Sequence, residues 1–139
     1  MRKILFVCHG NICRSPMAEF ILKDRIKKYN LDIYTESRAV SSEEYMNDIY
    51  PPAKRVLDKH NIKYDRHYAK RISFQDYDDY DEIYVMDNSN MYYITRMIDD
   101  KDNKIKLLNG EIEDPWYTDN FESVFKQIEE GIDKLIKVK

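Results

Sequence analysis

The segment FVCHGNICRSP, residues 6–16, constrains the fold of this 139-residue chain more than any other. A short apolar run in residues 2–7 stops at Cys8, which is typical of a buried strand in a parallel sheet. Ser15 suits a helix N-cap, and Pro16 suits the first helical position. The sequence therefore predicts a strand, a tight loop and a helix in immediate succession.

The rest of the chain alternates between further strands and helices. Strands are predicted at 32–37, 82–86 and 104–108, and helices at 17–30, 51–61, 88–98 and about 121–136. Such alternation favours right-handed crossovers and a parallel sheet covered on both faces. We predict an α/β fold in one domain over 1–139, with a four-stranded parallel sheet flanked by helices. The acidic segment 75–82 is interpreted as a solvated face rather than an interaction surface.

Composition and charge exclude several classes of protein. A net charge of −3 gives no basic field for nucleic acid, and no apolar run approaches the roughly 18 residues of a membrane span. The apolar run near the N-terminus is about five residues long, shorter than the roughly 7–15 of an export signal. We expect a cytoplasmic protein with no nucleic-acid or membrane partner. Cys8, His9 and Cys13 supply at most three ligands where zinc needs about four, so no metal site is predicted.

The loop after the first strand has the features of an oxyanion socket. Ligands of open parallel sheets bind beyond the carboxyl ends of the strands, and backbone N–H groups at a helix N-terminus favour anions such as phosphate. Gly10 lets the backbone approach the anion, and Asn11 tolerates a positive φ. Arg14 adds a planar fork that can hold two oxygens. These residues predict a phosphate-binding loop.

Cys8 lies where this socket would activate a thiol. Helix N-termini and nearby cations favour the thiolate, which would face a bound phosphate as a nucleophile. The alternative is a small buried hydrophobic residue at a strand end, but it leaves Gly10, Arg14 and the helix start unexplained.

The segment EDPWY supplies a candidate acid in Asp114, for which a simple turn-forming role is the alternative. Trp116 and Tyr117 predict an aromatic wall beside the leaving group, with core packing as the alternative for Trp116. Tyr45 or Tyr50 is expected to form the opposite wall.

With VCHGNICRSPMAE and DPWY together, the chain resembles the low-molecular-weight protein-tyrosine phosphatases over essentially its whole length. That family has a Cys-x5-Arg-Ser loop near the N-terminus and a distant Asp-Pro-aromatic-aromatic loop. The resemblance implies a phosphotyrosine-containing protein substrate, phosphate or another oxyanion in the loop, and no cofactor. We expect a monomer or a weak dimer.

The resemblance also implies the catalytic roles. Cys8 would become a phosphocysteine, and Arg14 would clamp the transferred phosphoryl group. Ser15 would donate a hydrogen bond to the sulfur and ease its departure. Asp114 would act first as the acid for the tyrosyl oxygen and then as the base for the hydrolytic water.

The remaining loop residues have supporting roles by the same resemblance. A hydrogen-bond network that holds the loop would be formed by Asn11, Ser37 and His67. The other residues of the loop are His9, Gly10 and Ile12. Cys13 would form a reversible disulfide with Cys8 under oxidation. His9 replaces the usual apolar residue and places a titratable group near the loop.

Four other functions compete with tyrosine dephosphorylation. A thioredoxin-coupled arsenate reductase needs resolving cysteines far along the chain, and none follows Cys13. A protein-arginine phosphatase characteristically carries threonine where Ile12 stands, so Ile12 favours tyrosine. A cysteine phosphocarrier must protect its phosphocysteine from water, which Asp114 opposes. A phosphotyrosine-binding module would not need the complete catalytic set.

Overall fold

Four parallel strands form one sheet in a computed structural model of the chain, which describes residues 1–137. The sheet has the order β2-β1-β3-β4, and its strands are β1 (Arg2–Cys8), β2 (Ile33–Ala39), β3 (Glu82–Val85) and β4 (Ile105–Leu107). Because β1 is central, its carboxyl end at Cys8 lies in the middle of the sheet edge, paired with Ala39. The predicted four-stranded parallel sheet is confirmed.

The same part of the chain contains six helices, which cover both faces of the sheet. They are α1 (Arg14–Tyr29), α2 (Pro51–Lys59), α3 (Phe74–Asp79), α4 (Asn88–Met97), α5 (Pro115–Thr118) and α6 (Phe121–Ile136). None of these described helices is both long and apolar enough to cross a membrane.

Alternation along β1 divides the core between the two faces. Ile4 and Phe6 pack with α1, α2 and α6, whereas Leu5 and Val7 pack with α3 and α4. Successive side chains of a strand point to opposite faces, so one apolar run anchors both helical layers. The helices therefore enclose β1 from both faces of the sheet.

The start of α1 differs from the prediction. The helix begins at Arg14, and Cys13 occupies the N-cap position without a side-chain cap bond. Ser15 was predicted as the cap, but its hydroxyl is instead hydrogen-bonded within the preceding loop. The helix predicted at 51–61 ends at Lys59, although Asn61 has the expected left-handed conformation with a φ of 59°.

The acidic segment 75–82 is not only a solvated face, because most of it belongs to α3. The Ser73 hydroxyl accepts the Asp76 N–H and the Asp76 carboxylate accepts the Ser73 N–H, which together form a capping box. Asp76 and Tyr77 are buried. The hydrogen bond from the Ser73 N–H offsets the cost of burying the Asp76 carboxylate. A count of charges along the sequence does not reveal this hydrogen bond.

Candidate active site

A cavity of about 250 Å³ opens at the carboxyl end of β1. Most of residues 8–14, which we call the phosphate loop, form its floor. Glu43 and Glu44 line one wall, and Asp114, Trp116 and Tyr117 line another. The structure therefore brings the two sequence motifs, a hundred residues apart, to one cavity.

Cys8 is buried on the floor of this cavity, with its Sγ 3.0 Å from the Ser15 Oγ. The Ser15 oxygen accepts the Asn11 Nδ2–H at 2.8 Å. Since a hydroxyl has one proton to donate, Ser15 can accept from Asn11 and donate to the sulfur at the same time. The Arg38 carbonyl is a more distant acceptor, at 3.3 Å from the Ser15 Oγ.

Asn11 holds the shape of the phosphate loop. It has a φ of 62°, as its residue type allows, and its Nδ2 also donates to the Ser37 Oγ at 2.9 Å. The His67 Nε2 lies 2.7 Å from the Asn11 carbonyl oxygen. Burial lowers the pKa of His67, so the neutral imidazole donates Nε2–H to that carbonyl. The three residues predicted to form a network are thus in contact.

Glu19, which was not predicted as a site residue, extends this network. The Ser37 hydroxyl donates to the Glu19 Oε1 at 2.6 Å, and Glu19 is buried on α1. The sequence did carry a signal for Glu19, because this carboxylate interrupts the otherwise apolar stretch MAEFIL at 17–22.

A side chain at Gly10 would crowd its neighbour Glu44. A Cβ atom at position 10 would lie 3.3 Å from the Glu44 Cγ, which is tighter than most carbon contacts. The backbone angle of Gly10 is not in the left-handed region. The absence of a side chain therefore lets the 43–44 segment close over the loop, in addition to the predicted approach of an anion.

Arg14 is 2% exposed and is held by residues from two other loops. Its Nη1 donates to the Asp87 Oδ2 at 2.7 Å and to the Ile112 carbonyl at 2.8 Å. Its Nη2 lies 3.4 Å from the Asp114 Oδ2. A guanidinium has five N–H donors, so Nε and Nη2 still have protons for an anion.

Asp114 caps α5 and also faces the cavity. As the N-cap of α5, its Oδ1 accepts the Trp116 backbone N–H at 3.0 Å, which is the turn-forming role. Its Oδ2 faces the Arg14 guanidinium at the cavity. Trp116 is 54% exposed and Tyr117 is 84% exposed, so core packing of Trp116 is wrong.

Segment 43–50 contributes acidic rather than aromatic side chains to the cavity. Among the described residues, Glu43 and Glu44 line it, and neither Tyr45 nor Tyr50 does. Glu43 Oε2 lies 3.4 Å from the His9 Nε2, at the rim. Segment 43–50 is irregular, so no periodicity in the sequence indicated which side chains face the cavity.

Asp87 is a second residue that the sequence analysis missed. It lies two residues after the end of β3, and parallel strands direct such residues to the same edge as the phosphate loop. That rule was a usable signal for its proximity to Arg14.

Cys13, like Cys8, is a buried, free cysteine that lines the cavity. Burial raises the pKa of the Cys13 thiol, and the nearby Cys8 and Asp114 raise it further. Cys13 is therefore held in its thiol form.

Comparisons with known proteins found similar sequences and similar structures that match nearly the whole chain. The family model described as "Low molecular weight phosphotyrosine protein phosphatase" matches residues 3–138. The Staphylococcus aureus low molecular weight protein-tyrosine-phosphatase PtpA is 38% identical, with 98% of this chain and 92% of the relative covered. The Streptococcus pyogenes phosphatase SP-PTP has a TM-score of 0.91 at 37% identity, covering 100% of this chain and 94% of that one. The Drosophila arginine phosphatase DARP has a TM-score of 0.89 at 33% identity, covering 99% and 96%.

Proposed function

Because the chain belongs to the low-molecular-weight protein-tyrosine phosphatase family, we propose that Cys8, Arg14 and Asp114 are its catalytic residues. The protein is a phosphoric monoester hydrolase of that family. The observation that carries the residue assignment is the 3.4 Å contact between the Arg14 Nη2 and the Asp114 Oδ2, in the cavity that has Cys8 on its floor. A nucleophile, a cationic clamp and an acid thus share one cavity.

In the first step, the Cys8 thiolate attacks the phosphorus of phosphotyrosine. The sulfur–phosphorus bond forms while the phosphorus–oxygen bond to the tyrosyl group breaks. Asp114, protonated at the start, gives its proton to the departing oxygen. Arg14 and the backbone N–H groups of the phosphate loop stabilise the charge on the equatorial oxygens. The products are tyrosine and a phosphocysteine.

In the second step, water hydrolyses the phosphocysteine. The Asp114 carboxylate takes a proton from the water, whose oxygen attacks phosphorus while the sulfur–phosphorus bond breaks. The Ser15 hydroxyl, 3.0 Å from the sulfur, donates to the leaving thiolate. Inorganic phosphate is released, and Asp114 is protonated for the next cycle. The position of Asp114 therefore disfavours a phosphocarrier or a binding module.

The aromatic wall supports tyrosine as the leaving group. Trp116 and Tyr117 offer exposed ring surface beside the phosphate loop, which suits stacking with a phenyl ring. Ile12 lines the cavity and offers no hydroxyl. The structural similarity to an arginine phosphatase makes phosphoarginine the second substrate to test.

The cytoplasm is the proposed location, and one chain the proposed functional unit. A thiolate nucleophile must stay reduced, as the cytosol keeps it. All members of the proposed machinery come from a single domain, so a monomer or a weak dimer suffices for activity.

A substrate panel with a nucleophile variant tests this function. Purified, reduced protein is assayed with a phosphotyrosine peptide, phosphoarginine and arsenate, alongside Cys8→Ser. We expect turnover of phosphotyrosine by the wild type and none by Cys8→Ser. Turnover of phosphoarginine alone would assign the arginine reaction instead. A stable phosphocysteine without turnover would contradict hydrolysis altogether.

A further inference from the structure

Tyr50 lies where three parts of the molecule meet. It is the N-cap residue of α2 and is half-buried. Its backbone N–H donates to the Ile12 carbonyl at 2.8 Å. The phosphate loop is therefore joined to the start of α2 by a main-chain hydrogen bond.

The Tyr50 side chain reaches in another direction, toward the loop that carries the proposed acid. Its ring centroid lies 4.9 Å from that of Trp116 and 6.1 Å from that of Phe121. These separations are those of favourable aromatic pairs. Since Trp116 is about half exposed, the Tyr50 ring supports it from the protein side.

Trp116 in turn orients Asp114. The Trp116 backbone N–H donates to the Asp114 Oδ1 at 3.0 Å and leaves Oδ2 toward Arg14. Helix α5, which contains Trp116, has only four residues, so its own hydrogen bonds constrain it weakly. A shift of the Trp116 ring would therefore move the donor that holds the carboxylate.

We propose that Tyr50 is a positioning residue that sets the place of Asp114 relative to the phosphate loop through Trp116. The inference rests on the proposed function, in which Asp114 is the acid. Tyr50 does not line the cavity, so it acts without touching the substrate. The contact with Trp116 is made by the Tyr50 ring, so phenylalanine at position 50 preserves that contact.

Dependence on the leaving group separates this role from a merely structural one. The value of kcat/KM reports the steps up to transfer of the phosphoryl group to Cys8, and a poor leaving group needs the acid more than a good one. The experiment measures kcat/KM of the wild type, Tyr50→Ala, Tyr50→Leu and Tyr50→Phe with aryl phosphates whose phenols span a range of pKa. A displaced acid costs about 10- to 100-fold for phenyl phosphate and far less for 2,4-dinitrophenyl phosphate. Tyr50→Phe should match the wild type, and Tyr50→Leu keeps the test open should the alanine variant not fold.

Tyr64→Ala is the matched control. Tyr64 is also half-buried and pairs with Phe20, with ring centroids 6.3 Å apart, away from the cavity. It should leave the leaving-group dependence unchanged. An equal loss for all leaving groups in both Tyr50→Ala and Tyr50→Leu would overturn the inference while leaving the proposed function intact. If Asp114→Asn itself did not steepen the dependence, the proposed acid role would fail and this inference with it.

Discussion

The Asp87 carboxylate joins the Arg14 side chain to the first turn of α4. Its Oδ2 accepts the Arg14 Nη1–H at 2.7 Å, and its Oδ1 accepts the Asn90 N–H at 2.7 Å. Asp87, which caps α4, therefore orients the guanidinium of Arg14 on α1. In the proposed mechanism Arg14 presents its remaining donors to a phosphoryl group, so Asp87 would orient this clamp without touching the substrate.

Asp87→Asn tests this relationship. An amide oxygen can still cap α4, but the charge-assisted bond to Arg14 is lost. Such bonds contribute about 1.5–3 kcal/mol, so we expect kcat/KM to fall about 10- to 100-fold. Steady-state kinetics with a phosphotyrosine peptide measures the change. Asp99→Asn, at an exposed position, serves as the control, and equal activity of both variants would contradict the role of Asp87.

Asp114→Asn removes the proposed acid and base. We expect a loss of about 10²- to 10⁴-fold in kcat, measured by steady-state kinetics with a phosphotyrosine peptide. Asp119→Asn is the control, because Asp119 ends α5 with a φ of 58° that asparagine also adopts. A kcat of Asp114→Asn equal to that of the wild type would exclude the assignment.

Cys13→Ser tests the proposed redox role of the second cysteine. Peroxide oxidises the Cys8 thiolate to a sulfenic acid, which condenses with the Cys13 thiol to a disulfide and releases water. We expect the wild type to regain activity with a dithiol reductant and Cys13→Ser to recover less, since its Cys8 is oxidised further. Equal recovery would show that Cys13 does not protect the nucleophile.

Glu43→Gln tests the acidic wall. A negative side chain at the cavity mouth opposes a dianionic substrate, so its removal should lower KM for phosphotyrosine. For an exposed carboxylate we expect about a two- to fivefold change, which shrinks as salt is added. Glu130→Gln, on the distant surface of α6, is the control. A KM that does not change at low salt would exclude an electrostatic effect of Glu43.

Asp48→Asn tests the segment that leads into α2. Its carboxylate accepts the Ile49 N–H at 2.8 Å and the His67 N–H at 2.9 Å. Burial alone would raise the pKa of Asp48, but the Lys54 ammonium and these N–H groups outweigh it and lower that pKa well below its usual range.

A lowered pKa stabilises the fold above the pKa of the unfolded chain, and this stability is lost as pH falls through the folded value. At pH 7 we expect the free energy of unfolding of Asp48→Asn to be about 1–3 kcal/mol lower than that of the wild type. The difference should narrow below about pH 4. Urea unfolding at several pH values measures it, with the exposed Asp65→Asn as the control. A difference independent of pH would contradict the ionic role.

Several features were predictable from local sequence because their causes are local. The apolar run before Cys8 predicted β1, and the alternation of elements predicted the parallel sheet. The left-handed backbone at Asn11 follows from its own side chain. The predicted cap at Ser15 was wrong, because contacts from Cys8 and Asn11 compete for the hydroxyl that a cap would use.

By itself, the sequence predicted the order of the four strands and of the four longer helices, the phosphate loop, and Cys8, Arg14 and Asp114 as candidate catalytic residues, but not the short helices α3 and α5. Only the tertiary structure decided which distant side chains surround them: Asp87 against Arg14, Glu43 at the mouth and Tyr50 behind Trp116. The physical reason is the range of the interactions. Backbone conformation and capping depend on neighbours within about one helical turn. Contacts between loops arise only when the crossover helices pack on the sheet and bring the carboxyl ends of the strands together.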